Sequence, residues 1–135
     1  GLRRLVIFVD TSAILPLMNV ADPDHPEASD VLRRHIDTAR LVTHNYVVLE
    51  SIALVQRRLG LRVVRAFTER LLPLIDVSWV DRPQHERAVA DLIASRRRRA
   101  SLVDQVSFAL MRELGIRTAF AFDRDFAREG FRLLT

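Results

Sequence analysis

The run Leu5-Val6-Ile7-Phe8-Val9-Asp10-Thr11-Ser12-Ala13 decides the fold. Five apolar residues stop abruptly at an acid, and two hydroxyls follow. Four of the five are β-branched or aromatic, which reads as a short, fully buried strand. The acid then sits where the chain leaves the sheet, the rim at which open α/β sheets bind their ligands.

Working outward, the chain repeats this pattern. Thr11 or Ser12 caps a short helix to about Asn19, with Pro16 in its first turns. A loop, Asp22 to Pro26, leads to a helix ending near Ala39, with Ala28, Val31, Leu32, His35 and Ile36 facing inward. Leu41-Val42-Thr43 reads as a second strand. Asn45 is expected to cap the next helix and Gly60 to end it. Its apolar residues lie nearly all round, so it is expected to be buried, with Glu50 in its middle. A further helix from about Arg62 stops at Pro73, and Ile75 to Val80 forms a third strand. Asp81 caps a helix with Ala88, Val89, Leu92 and Ile93 on one face. The run Arg96-Arg97-Arg98-Arg99 follows. Ser101 then opens a helix from Leu102 to Leu114, closed by Gly115. Thr118 to Phe122 is a fourth strand, again ending in an acid, Asp123. Asp125 begins a short helix to Gly130, and Phe131 to Leu134 is the last strand. Strands alternating with helices imply a mostly parallel sheet with helices on both faces.

Composition bounds the chemistry. The 135 residues are expected to form a single domain, 1–135, with 49% apolar residues to fill its core. There is no cysteine, so disulfides and thiolate sites are excluded, in keeping with a cytoplasmic protein. No apolar run approaches the ~20 residues of a membrane span, so no membrane association is expected. Arg3-Arg4 before an apolar stretch loosely resembles a secretion signal, but Asp10 splits that stretch and the reading is strand plus helix. The formal charge is +4, and all 21 basic residues are Arg. Arginine forks match phosphates, so a polyanionic partner is expected. His25, His35 and His85 are read as structural or surface residues, and Trp79 and Tyr46 as packing groups.

Asp10, Glu50, Asp104 and Asp123 stand against apolar backgrounds. Each has a plain structural reading. Asp10 can cap a helix, Ser101 and Asp104 make a near capping box, Glu50 can pair with Arg57 or Arg58, and Asp123 can open a turn. Burying a carboxylate costs several kcal/mol without compensation. Four such acids imply one shared cation. Oxygen ligands alone point to a hard ion, Mg²⁺ or Mn²⁺.

The motifs Val9-Asp10-Thr11-Ser12-Ala13, Val48-Leu49-Glu50, Ser101 to Phe108 and Ala121-Phe122-Asp123-Arg124-Asp125-Phe126 occur in an order that resembles PIN domains. In particular they resemble the short bacterial PIN proteins that serve as toxins of toxin–antitoxin pairs, the VapC-like group. The resemblance implies a three-layer α/β/α fold with a five-stranded, mostly parallel sheet. It also implies metal-dependent endoribonuclease activity with Mg²⁺ or Mn²⁺ held by Asp10, Glu50, Asp104 and Asp123. Thr11 or Ser12 would support the site by hydrogen bonding, with Asp125 as a further helper. The partners implied are an RNA substrate, a small antitoxin protein and a second copy in a homodimer. Because an acidic site repels RNA, Arg96, Arg97, Arg98 and Arg99 are expected to bind its phosphates. Two alternatives stand beside this reading: an RNA-processing nuclease without a toxin role, and a non-catalytic RNA-binding or scaffold protein. A haloacid-dehalogenase-like phosphatase would need an acid where Ser12 stands. A Rossmann domain lacks its Gly-rich turn, and a receiver domain lacks its Lys.

Overall fold

The structure, a computed structural model, describes residues 4–95 and 100–135. Its centre is β1 (Leu5–Val9), whose Ile7, Phe8 and Val9 are all buried. A strand with both faces covered needs no alternation, which is why the run is continuously apolar. The other strands are β2 (Ala39–His44), β3 (Asp76–Ser78), β4 (Thr118–Phe120) and β5 (Arg132–Leu133). They form one sheet in the order β3-β2-β1-β4-β5, every pair parallel. The register sets Phe8 beside Val42 on one side and Ala119 on the other.

Helices α1 (Thr11–Met18) and α2 (His25–His35) link β1 to β2, and α3 (Asn45–Leu59) and α4 (Leu61–Ala66) link β2 to β3. Helices α5 (Arg82–Ala94) and α6 (Leu102–Leu114) connect β3 to β4, and the short α7 (Asp125–Arg128) precedes β5. The chain steps outward from β1 through β2 to β3, then returns to lay β4 on the opposite side of β1. Right-handed crossovers therefore place the helices before and after that reversal on opposite faces. The crevice between β1 and β4 is the topological switch point, where ligands bind outside the strand C-termini.

Several boundaries and burials differ from those the sequence predicts. The α3 helix is not buried all round: Val47, Ser51 and Val55 are covered, while Leu49 is 68% exposed. A helix with neighbours on only one side keeps one wet face, whatever its composition. Its N-cap is His44, whose Nδ1 accepts from Tyr46 N at 3.2 Å and Val47 N at 3.3 Å. Asn45 instead ties α3 to the β3 exit, its Oδ1 accepting from Val80 N at 2.6 Å. The helix expected from Arg62 breaks into α4, a π-type turn over Phe67–Leu71 and a 3₁₀ turn over Leu72–Leu74, because Pro73 cannot continue the ladder. Trp79 does not pack, being 76% exposed, and Ile93 also points to solvent. His25 and His85 have the structural roles expected of them, bonded to Pro16 O at 2.7 Å and Tyr46 Oη at 2.6 Å. The α6 limits agree with the sequence reading, and Gly115 closes the helix in the left-handed conformation (φ 69°).

Candidate active site

Each acid reaches the strand-end rim through a local rule. Asp10 leaves β1 in extended conformation and caps α1. Its Oδ2 accepts from Ser12 N at 3.1 Å and from Ser12 Oγ at 2.7 Å. The same Ser12 oxygen accepts from Phe122 N at 2.9 Å and Asp123 N at 3.2 Å. One hydroxyl thus clamps the exits of β1 and β4 together across 111 residues of sequence. Asp10 N also extends the sheet by donating to Phe120 O at 3.1 Å.

Asp104 is the third residue of α6 and completes a capping box. Its Oδ2 accepts from Ser101 N, and Ser101 Oγ accepts from Asp104 N, both at 3.1 Å. Asp123 accepts from Asp125 N at 2.9 Å, which turns the chain into α7. Glu50 is half-buried, within α3. Thr11 serves a different purpose from Ser12. Its hydroxyl donates to Val47 O at 3.5 Å and accepts from Ser51 Oγ at 3.2 Å, so it ties α1 to the helix that carries Glu50.

These elements enclose a cleft of about 400 Å³. It is lined by Asp10, Thr11, Ser12, Glu50, Asp104 and Asp123, with Arg58 also on its wall. Carboxylate oxygens of Asp104, Asp123 and Asp125 lie within 4.8 Å of one another. Asp125 therefore lies within 4.8 Å of both Asp104 and Asp123, although its carboxylate is also paired with Arg128. Arg96 to Arg99, expected at the RNA interface, lie outside the described residues.

The electrostatics follow from the geometry. Burial pushes the Asp10 carboxyl up to about 6 against the opposing pull of the Ser12 bonds, and the charges of Asp104 and Glu50 add to the rise. Burial likewise raises Asp104, with Asp123 and Glu50 contributing repulsion. Among the described residues no Arg or His forms an ion pair with Asp10, Glu50, Asp104 or Asp123. In both caps Oδ2 takes the hydrogen bonds. The Oδ1 atoms of Asp10 and Asp104 make none among the described residues, yet no fully buried side-chain oxygen there lacks a partner. These two oxygens are therefore open to the cleft. Clustered, partly desolvated carboxylate oxygens that no described Arg or His pairs with fit a hard divalent ion, which favours oxygen ligands.

Sequence reasoning left His44 without a role beyond turn and cap. It is fully buried, and burial pushes its imidazole down to about 3, so the ring is neutral. The signal available was a polar ring at the end of a buried strand, six residues before Glu50.

The family model for the PIN domain matches residues 7–131. The chain belongs to the PIN domain family. It is similar to the 23S rRNA-specific endonuclease VapC20 of Mycobacterium tuberculosis, in strain H37Rv and in strain CDC 1551, at 38% identity over 127 residues. That match covers 93% of this chain and 95% of the relative. The crystal structure of M. tuberculosis VapC20, described as a sarcin–ricin loop cleaving toxin, superposes with a TM-score of 0.84 at 36% identity. It covers 93% of this chain and 95% of that one. FitAcB from Neisseria gonorrhoeae shares the fold alone, with a TM-score of 0.66 at 14% identity and 96% coverage of each chain. The chain is thus an endoribonuclease of the VapC toxin group, and the PIN fold expected from its motifs is the fold it has. Among the described residues no helix is long and apolar enough to cross a membrane.

Proposed function

We propose that this PIN domain cleaves ribosomal RNA with Mg²⁺ or Mn²⁺ held by Asp10, Glu50, Asp104 and Asp123, with Asp125 beside them. The observation that carries the reading is the cleft itself. Carboxylates from four distant parts of the chain meet there, with the Oδ1 atoms of Asp10 and Asp104 left open. When bound, the ion supplies charge stabilisation at the phosphoryl oxygens and a lowered pKa for the attacking water. The protein's own residues do the rest. Ser12 holds Asp10 and the Asp123 turn at fixed separation. The Ser101 box fixes Asp104. Glu50, with no ion-pair partner among the described residues, orients the water. Water attacks phosphorus in line with the 3′ oxygen, which departs, leaving a 5′-phosphate and a 3′-hydroxyl.

Likeness to VapC20 supports 23S rRNA as the substrate class and its sarcin–ricin loop as the first target to test. We further propose, from the family resemblance, a cytoplasmic toxin controlled by a small antitoxin protein and acting as a homodimer. Arg96, Arg97, Arg98 and Arg99 are assigned the phosphate contacts, because the acids need a basic neighbour and the run lies just before Asp104 in sequence.

The test is cleavage of 23S rRNA with Mn²⁺ or Mg²⁺ against chelator, for wild type and Asp10→Asn. Metal-dependent cutting lost in the variant is expected, and equal cutting in all conditions rejects the metal reading. Replacing the four arginines by Ser should flatten the salt dependence of RNA binding. Growth arrest on expression, relieved by a small neighbouring open reading frame, separates a toxin from a processing nuclease.

A further inference from the structure

The His44 ring contacts the three elements that deliver Asp10, Glu50 and Asp104. Its Nδ1 accepts from Tyr46 N and Val47 N in the first turn of α3, one turn before Glu50. Its Nε2 lies 2.8 Å from Ser107 Oγ on α6. Ser107 Oγ donates its proton to Val103 O at 2.9 Å, so it accepts from His44, and Nε2 carries the ring hydrogen. Val103 immediately precedes Asp104. The ring also packs on Phe8 of β1, centroids 5.7 Å apart, two residues before Asp10. A neutral imidazole can accept two backbone N–H groups at one nitrogen, donate from the other, and span the distance between the two helices.

We propose that His44 is a positioning residue for the acid cleft, fixing the helices of Glu50 and Asp104 at the separation that the divalent ion requires. The inference rests on the metal reading above. It predicts that the Ser107 tie, and not the helix cap, governs metal affinity.

The variants His44→Asn and Ser107→Ala separate the two. Asn is itself a good N-cap but too short to reach Ser107, whereas Ser107→Ala keeps the His44 cap and removes the tie. Two readouts are taken: the Mn²⁺ concentration giving half the maximal rise in Tm, and the split between KM for RNA and kcat. Both variants are expected to raise the Mn²⁺ midpoint by roughly tenfold, the lower end of the cost of losing a partner that orients metal ligands. KM should stay constant while kcat at limiting Mn²⁺ falls. The double variant should be no worse than His44→Asn, since one contact is lost in each. If His44→Asn does not fold, Ser107→Ala alone decides. A wild-type Mn²⁺ response that the folded variants share unchanged overturns this inference alone. No Mn²⁺ response in the wild type overturns it together with the metal reading.

Discussion

The two ends of this sheet are chemically opposite. At the C-terminal rim, acids line a cleft of about 400 Å³. At the N-terminal rim, a groove of about 1010 Å³ is lined by Arg4, Arg112, Arg117 and Arg132. A parallel sheet with helical crossovers produces this polarity unaided. Strand exits face helix N-termini, whose free N–H groups and dipole suit carboxylates. Helix C-termini gather at the other end and suit cations. The last turns of α2 and α6 accordingly carry Arg33 and Arg34, and Arg112, while Arg58 in the last turn of α3 departs from the pattern and reaches the wall of the acid cleft. What separates the rims is burial. The arginines at the far end are exposed and paired singly, if at all. Asp10 and Asp104 are desolvated and crowded by like charge. Self-repulsion of this kind destabilises the metal-free protein, and clustered groups with perturbed pKa values are a mark of functional sites.

The sharpest way to break this contrast is Asp10→Asn. The amide keeps an oxygen for Ser12 and removes the charge. Cleavage should fall at least about 100-fold, about 2.7 kcal/mol of barrier. Stability without metal should rise. A carboxyl moved from about 3.9 unfolded to about 6 folded costs roughly 3 kcal/mol at neutral pH, and Asn does not incur it. Thermal melts in chelator at pH 7.5 measure the rise, and a variant less stable than wild type contradicts it.

The same shift fixes a pH dependence. The folded state binds the Asp10 proton more tightly than the unfolded chain does. The penalty is absent below about pH 4, grows as pH rises to about 6, and persists above. A bound cation has the opposite slope, because its ligands must lose their protons. The Tm difference between Mn²⁺-loaded and metal-free protein should therefore widen from pH 5 to pH 7.5 and be small below 5. A constant difference across that range removes Asp10 from the ligand set.

Much of this contrast was legible in the sequence, and the reason is physical. Asp10 and Asp104 looked ambiguous between cap and ligand, and the structure shows one atom of each acting as cap while the other faces the cleft. The plain cap reading is what the structure shows, and the ligand role is the proposal for the other oxygen. The β1 run and the α6 limits were legible because an apolar strand and a Ser101-to-Gly115 frame are local signals. The exposure of Leu49 and Trp79 was not, since composition cannot say which side of an element lacks a neighbour. His44 was missed for a related reason. Its partner Ser107 lies 63 residues away, and no local pattern announces a contact of that span.

Within the acidic rim, Ser12 and Thr11 should differ. Ser12→Ala leaves Phe122 N and Asp123 N without their acceptor and loosens Asp10. Orphaned donors of this kind cost about 1–3 kcal/mol, and cleavage should drop about tenfold as the β1 and β4 exits separate. Thr11→Val removes only the tie from α1 to α3 and should cost about 1 kcal/mol, with a smaller loss of activity. Chemical denaturation and single-turnover cleavage of both variants rank the two hydroxyls, and the reverse order would reassign them.

The smallest effect belongs to the basic rim and serves as its control. Arg112 pairs with Glu129 at 2.8 Å and lies over the Phe131 ring, 5.4 Å from its centroid. Its side chain is 54% exposed, so solvent screens both contacts. Arg112→Ser should cost about 0.5–1 kcal/mol in denaturation, the range for a half-exposed pair. Part of that loss should vanish in high salt, because the ion pair is screened while the packing on Phe131 is not. The Mn²⁺ midpoint should stay at the wild-type value, since Arg112 lies at the far end of the sheet from every acid in the cleft. A shift there as large as that of Ser12→Ala would mean the two rims are coupled through α6, whose first turn carries Asp104 and whose last carries Arg112.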